Sequence, residues 1–202
     1  MKKLKIGITG GIGSGKSVFC GYIAEKKYTV ISADNIAKEI LSSDPAVKKK
    51  IIDAFGADSY KNGSLNTGFI ADVVFNDFES LQLLNSFVHP ATIERTRRLM
   101  DEDLKKNNIV FVEAALIFEA EMEDYFDYIV LIKAENNVKI QRIQQRDNAS
   151  EEEILSRQAN QLPDEEKVDV SDFVFDNNGS PEELKTKADF LLNLLNGISR
   201  VN

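Results

Sequence analysis

Residues 10–17, Gly10-Gly11-Ile12-Gly13-Ser14-Gly15-Lys16-Ser17, have the types and the spacing to hold a row of phosphates. They fit G-x-x-x-x-G-K-[ST], in which a glycine-rich loop turns backbone N–H groups inward and a following helix adds partial positive charge. In this pattern Gly11, Ile12, Gly13, Ser14 and Gly15 supply the backbone, and Lys16 reaches the β- and γ-phosphates. The Ser17 hydroxyl sits on Mg²⁺. Two carboxylates could complete such chemistry. Asp34 ends an apolar, β-branched run. It can orient or accept the proton of an acceptor hydroxyl, or it can cap a helix beginning at Asn35 or Ile36. Glu113 ends another such run. It can support Mg²⁺ through water, or only cap its strand.

A cationic group follows later in the chain. Arg142 and Arg146 are four residues apart on one helical face, and Arg157 and Lys167 flank the next helix. Arginine's planar fork matches phosphate oxygens, so this stretch reads either as a lid that closes over a transferring phosphoryl group or as a solvated helix face. The single histidine, His89, precedes Pro90. It is either a substrate contact or a hydrogen-bonding residue at a helix start.

The elements that must position these groups can be read from apolar periodicity. Leu4, Ile6 and Ile8 alternate with Lys5 and Gly7 and predict a strand, and Ser17 to Lys26 predicts a helix. Tyr28–Ala33, Ile109–Val112, Tyr128–Ile132 and Phe173–Phe175 bring the candidate strands to five. Helices separate them, so the expected fold is α/β with a parallel sheet covered on both faces. Ser150-Glu151-Glu152-Glu153 and Ser180-Pro181-Glu182-Glu183 each open a helix with a capping pattern. Residues 35–108 break the alternation with two helical patterns, the second starting at Asp44-Pro45. A Lys61-Asn62-Gly63-Ser64 turn follows, then apolar segments around 69–75 and 81–88, then a long helix from Pro90 to Lys106. That is far more than a crossover needs, and it reads as a helical insertion.

Composition sets bounds. The chain has 202 residues, 43% hydrophobic and 29% charged, with a net charge of −8. That balance argues against a nucleic-acid partner, and an anionic substrate then needs a local positive patch. One cysteine, Cys20, excludes an intramolecular disulfide. No apolar run approaches membrane-spanning length, so a cytoplasmic protein, monomeric or a small homo-oligomer, is expected.

In order along the chain, these motifs resemble the dephospho-CoA kinase family. The phosphate loop matches its opening, and Ser32-Ala33-Asp34-Asn35-Ile36-Ala37 is similar to its Asp-Ala-Asp-x-Ile-Ala. Val88-His89-Pro90, Leu116-Ile117-Phe118-Glu119, Arg142, Arg146-Asp147, Arg157, Gln161, Lys167 and Asp176-Asn177 with Gly179-Ser180 follow its later pattern. The resemblance implies a P-loop kinase fold that uses ATP and Mg²⁺ to phosphorylate the ribose 3′-hydroxyl of dephospho-CoA, giving coenzyme A. It implies a nucleotide-binding core at 1–34, 109–134 and 168–202, an acceptor-binding insertion at 35–108 and a lid at 135–167. It places Asp34 as the presumed base, His89 near the acceptor, and Arg142, Arg146 and Asn177 on the nucleotide. The chain departs from the family at Ser32, where the first Asp is missing, and at Glu113 and Ala115, where Asp and Pro are frequent. Residues 65–69 lack an Arg that often stands there. Two rivals remain: another P-loop small-molecule or nucleoside monophosphate kinase, and a nucleotide-dependent switch. The switch lacks its Asn-Lys-x-Asp guanine motif, and Asp53-Ala54-Phe55-Gly56 lies in a helical stretch rather than after a strand.

Overall fold

The computed structural model describes residues 1–75 and 77–200. Asn76, within the expected insertion, and Val201 and Asn202, at the end of the expected core, lie outside them. In chain order the described elements are β1 (Leu4–Thr9), α1 (Lys16–Glu25), β2 (Thr29–Ser32), α2 (Ala33–Ser43), α3 (Pro45–Phe55), β3 (Tyr60–Lys61), β4 (Ser64–Leu65), α4 (Thr67–Phe75), α5 (Phe78–Asp103), β5 (Ile109–Glu113), β6 (Tyr128–Lys133), α6 (Asn136–Asp147), α7 (Glu151–Ala159), α8 (Asp164–Asp169), β7 (Phe173–Asp176) and α9 (Pro181–Arg200).

Residues 1–32 and 99–202 form one compact unit. Its sheet has five strands in the order β2-β5-β1-β6-β7, all parallel. The expected strands are all present, each within a residue or so of its reading, because each is a β-branched run too short and too apolar for a surface helix. β1, β5 and β6 are apolar on both faces: Ile6, Ile8, Val110, Phe111, Val112, Val130, Leu131 and Ile132 are fully buried. That is the pattern of strands covered on both sides. α1 and α9 bring Phe19, Ile23, Leu191 and Leu195 into the same core. The register aligns Ser32 and Ile8 with Glu113, and Lys133 with Asp176. The carboxyl ends of the strands therefore lie in one row, where ligands bind in open α/β sheets.

Residues 33–98 form a second compact unit with its own buried side chains, among them Ile36, Ile40, Val47, Ile51, Ile70 and Val88. Asp44 caps α3 as its sequence predicts, accepting from the Ala46 and Val47 N–H groups, with Pro45 at the first helical position. The Asn62-Gly63 turn joins β3 to β4, with both residues in the left-handed region. Tyr60 donates to the Leu41 carbonyl at 2.7 Å, and burial pushes its phenol above the ordinary range.

Two helix starts differ from expectation. The long helix begins at Phe78, not Pro90, and Pro90 lies inside it. An interior proline costs ~3 kcal/mol. Here the helix continues through it, with Val88 and Thr92 buried one turn apart and the Thr92 hydroxyl donating to the Val88 carbonyl at 2.9 Å. α2 begins at Ala33, so Asp34 stands in its first turn and not before it. There the carboxylate interacts favourably with the helix dipole.

Candidate active site

The phosphate loop joins β1 to α1, and its own chemistry dictates its shape. Gly15 is the N-cap of α1 at φ 92°, and Gly13 has φ 83°. Any other residue would be strained at both positions. No side chain caps α1, and its first turn has no acidic residue. The positive end of its dipole thus faces the loop, where an anion is favoured. A Cβ on Gly15 would strike the Asn177 carboxamide. Asn177 is 5% exposed, donates through Nδ2 to the Ser14 carbonyl at 2.7 Å, and is itself fixed by its N–H on the Lys133 carbonyl, also at 2.7 Å. It braces the loop from the end of β7.

Lys16 and Ser17 converge on Glu113. Lys16, 7% exposed, places Nζ 3.2 Å from Glu113 Oε1. The Ser17 hydroxyl donates to the same oxygen at 2.5 Å. Glu113 therefore does more than end its strand: it gathers the cation and the hydroxyl of the phosphate loop onto one carboxylate. The hydroxyl and the carboxylate are hard oxygen donors. They fit Mg²⁺, which typically takes one or two protein oxygens and completes its shell with water and substrate phosphates. Among the described residues no three His, Cys, Asp or Glu side chains cluster as a metal cage.

Arg142 lies beside this loop. Its Nη1 is buried and has no hydrogen-bond partner among the described residues, and it lies 3.8 Å from where a Cβ on Gly15 would stand. Leaving such a donor unsatisfied costs about 1–3 kcal/mol or more. A phosphate oxygen fits that vacancy in hydrogen bonding. Arg146 is placed differently. Its side chain is 63% exposed and forms a fork with Asp147, Nε to Oδ1 at 2.7 Å and Nη2 to Oδ2 at 2.8 Å. Hydrogen bonding to Arg146 holds the Asp147 carboxyl below the usual carboxylate range and raises the guanidinium in turn. Arg157 lies 3.7 Å from the same carboxylate. Lys167 does not face phosphate: it is fully buried and paired with Glu119 Oε1 at 2.9 Å. That oxygen also accepts from the Leu162 N–H at 2.7 Å.

Asp34 and His89 belong to the unit 33–98. Asp34 is half-buried, two residues beyond Ser32, whose register partner is Glu113. His89 is half-buried within α5 rather than at a helix start.

Sequence reasoning named Gln161 only by resemblance, and missed its place at the other flank of the loop together with Lys139 and Asp164. The Ile12 N–H donates to Gln161 Oε1 at 3.0 Å. Lys139 and Asp164 form an ion pair at 2.7 Å, their side chains only 13% and 10% exposed. A Cβ on Gly11 would stand 3.2 Å from Asp164 Oδ1 and 3.6 Å from Lys139 Nζ. Lys139 and Asp164 are 25 residues apart, with nothing in the intervening pattern to couple them. A cavity of about 820 Å³ opens here, lined by Gly11, Lys139, Gln161 and Asp164 together with Leu155 and Asn178.

A parallel sheet of this order, a phosphate loop at the end of its central strand, and a lysine and serine gathered on a strand-end carboxylate define a P-loop phosphotransferase, an ATP-dependent kinase. A family model described as dephospho-CoA kinase matches residues 4–183, and the chain belongs to that family. It is 36% identical over 190 residues to the dephospho-CoA kinase of Chlorobium chlorochromatii, covering 91% of this chain and 90% of that one. A solved structure from Thermus thermophilus superposes with a TM-score of 0.79 at 31% identity, covering 96% of this chain and 99% of its own. The dephospho-CoA kinase of Campylobacter jejuni superposes at 0.71 with 27% identity, covering 95% and 96%. Among the described residues no helix is long and apolar enough to cross a membrane.

Proposed function

We propose that this chain transfers the γ-phosphoryl group of ATP to the ribose 3′-hydroxyl of dephospho-CoA, giving coenzyme A and ADP, the final step of coenzyme A biosynthesis. The observation that carries the chemistry is the convergence of Lys16 Nζ and Ser17 Oγ on Glu113 Oε1. Phosphoryl transfer leaves little covalent work to the protein, so positioning and charge supply the rate. The Lys16 and Ser17 N–H groups, at the uncapped start of α1, bind phosphate oxygens. Within the loop the Ser14 N–H already bonds the Gly11 carbonyl at 3.0 Å, and so shapes the turn. Lys16 turns from Glu113 to the transferring phosphoryl and neutralises charge there. Ser17 would hold Mg²⁺, with Glu113 supporting it through water, and the ion would supply neutralisation of phosphate charge. Arg142 donates its buried Nη1 to the nucleotide, and Arg146 joins it by leaving Asp147. Asp34, carried just past the end of β2, orients the acceptor hydroxyl and accepts its proton. Residues 35–108 hold the pantetheine-bearing acceptor, with His89 among its contacts, and residues 135–167 act as the lid. A single buried cysteine, Cys20, with no second cysteine to bridge, suits the reducing cytoplasm as the place of work.

A coupled ATP assay tests the assignment, with dephospho-CoA set against adenosine, AMP and shikimate. Turnover is expected with dephospho-CoA. Activity on any of the other three without activity on dephospho-CoA would overturn it.

A further inference from the structure

Resting on that reading, we infer that Gln161 is a further catalytic residue, a neutral donor to the transferred phosphoryl group, held in place by docking on the phosphate loop. A glutamine carboxamide has one acceptor oxygen and an NH₂ group with two donors. The acceptor is committed: Gln161 Oε1 takes the Ile12 N–H at 3.0 Å. Among the described residues the Nε2 group donates to none, so both of its hydrogens are left for a ligand. The docking is reinforced around it. The Gln161 N–H bonds the Gln158 carbonyl at 2.9 Å, and the next residue's N–H is held by Glu119. The Lys139–Asp164 pair closes over Gly11 beside it. These anchors fix the carboxamide at the end of the loop remote from Gly15, against Gly11 and Ile12, while Arg142 and Asn177 attend Gly15. The loop's phosphate row thus has a charged donor at one end and a neutral one at the other. A preorganised donor aimed at developing charge is what a loose phosphoryl transition state rewards. Lys139 and Asp164 are positioning residues for it.

Gln161→Glu separates this role from a purely structural one. It keeps the oxygen that accepts from Ile12, removes both donors, and sets a negative charge where the γ-phosphate arrives. Binding of ADP and of a non-hydrolysable ATP analogue is measured by calorimetry, alongside turnover with dephospho-CoA. ADP has no γ-phosphate, so its affinity should stay within about twofold, while the analogue should weaken by about tenfold or more. Turnover should fall by about 10²–10³-fold, the range for loss of one preorganised donor. Gln161→Ala should lose turnover to a similar extent and should decide the matter if the Glu variant does not fold. Wild-type turnover with unchanged discrimination between the two nucleotides would overturn the proposal and leave Gln161 a buttress. Equal loss of ADP and analogue would overturn it as well, because the residue would then be shaping the whole loop. Should the wild-type chain fail to phosphorylate dephospho-CoA, the function would fall, and the two titrations would still decide the role of Gln161.

Discussion

The two flanks of the phosphate loop are built on different physics. At Gly15 the brace is Asn177, a buried residue just past the edge strand β7, its carboxamide donating to the Ser14 carbonyl and its own N–H to the Lys133 carbonyl. At Gly11 and Ile12 the brace is a carboxamide and an ion pair delivered by residues 139–164. That stretch carries the exposed Leu155 and few buried side chains, chiefly Ile143 and Ile154. One flank is continuous with the hydrophobic core and should open only with global unfolding. The other rests on a few polar contacts and is expected to open by itself, as the proposed lid requires.

The largest effects should come from removing the reacting groups while both flanks stay intact. Asp34→Asn keeps the size of the side chain and removes the charge that attracts the acceptor proton. Turnover should fall by ~10²–10⁴, with ATP binding and the melting temperature near wild type. Because Asp34 sits inside the first turn of α2, loss of capping cannot account for such a fall. Unchanged turnover would leave the residue a purely structural role. Lys16→Ala should cost roughly 10²–10³ in turnover, and Arg142→Ala somewhat less, both greater in kcat than in ATP affinity. A folded Lys16→Ala protein with undiminished rate would sink the P-loop reading.

The contrast between the flanks is itself testable. Asn177→Ala leaves the buried Ser14 carbonyl without its donor. It should lower global stability by about 1–3 kcal/mol in urea titration. Asp164→Asn removes the charge that pairs with Lys139 and weakens that contact. It should raise hydrogen exchange across 136–169 while moving the global midpoint much less, since the segment opens on its own. If Asp164→Asn lowers the midpoint as far as Asn177→Ala does, the two flanks are one cooperative unit and the contrast fails.

How much of this was legible in the sequence follows the same division. The five-stranded sheet was, because its strands are short apolar runs, the three central ones buried on both faces, and that pattern is local. So were the phosphate loop and Glu113, because a strand end followed by chemistry is a local signal too. The brace at Gly15 was half legible: Asn177 could be named, but its part in holding Ser14 required the register of β6 and β7. The flank at Gly11 was legible only as far as Gln161, which the resemblance named; Lys139 and Asp164, 25 residues apart, meet only in the folded chain. Lys167 looked like a lid cation because sequence shows its charge and not its burial; Glu119, far along the chain, neutralises it. Pro90 misled because Pro is favoured at the first position of a helix. The apolar face running through it decided otherwise.

The smallest effect, and the finest test of the moving flank, belongs to Arg146. It shares a helical face with Arg142, but in this structure its fork is closed on Asp147. The Arg146 side chain is 63% exposed and its pair with Asp147 is of the surface kind, which contributes little and is readily exchanged. Swapping Asp147 for a phosphate should therefore be easy, and it should matter only when the lid is shut. Arg146→Ala should lower turnover by less than Arg142→Ala and leave ADP binding nearly unchanged. The pair also has a pH signature. The Asp147 carboxyl is held below its ordinary value, so whatever the pair contributes is present above the ordinary carboxylate range and is lost as pH falls through the lowered value. In Arg146→Ala the Asp147 carboxyl should titrate closer to an ordinary aspartate, read by carbon NMR of that carboxyl. In wild type, a saturating non-hydrolysable ATP analogue should move it the same way, because the guanidinium has left for the phosphate. A carboxyl that titrates identically with and without the analogue, together with wild-type kinetics in Arg146→Ala, would show that this arginine belongs to a solvated helix face and that Arg142 works alone.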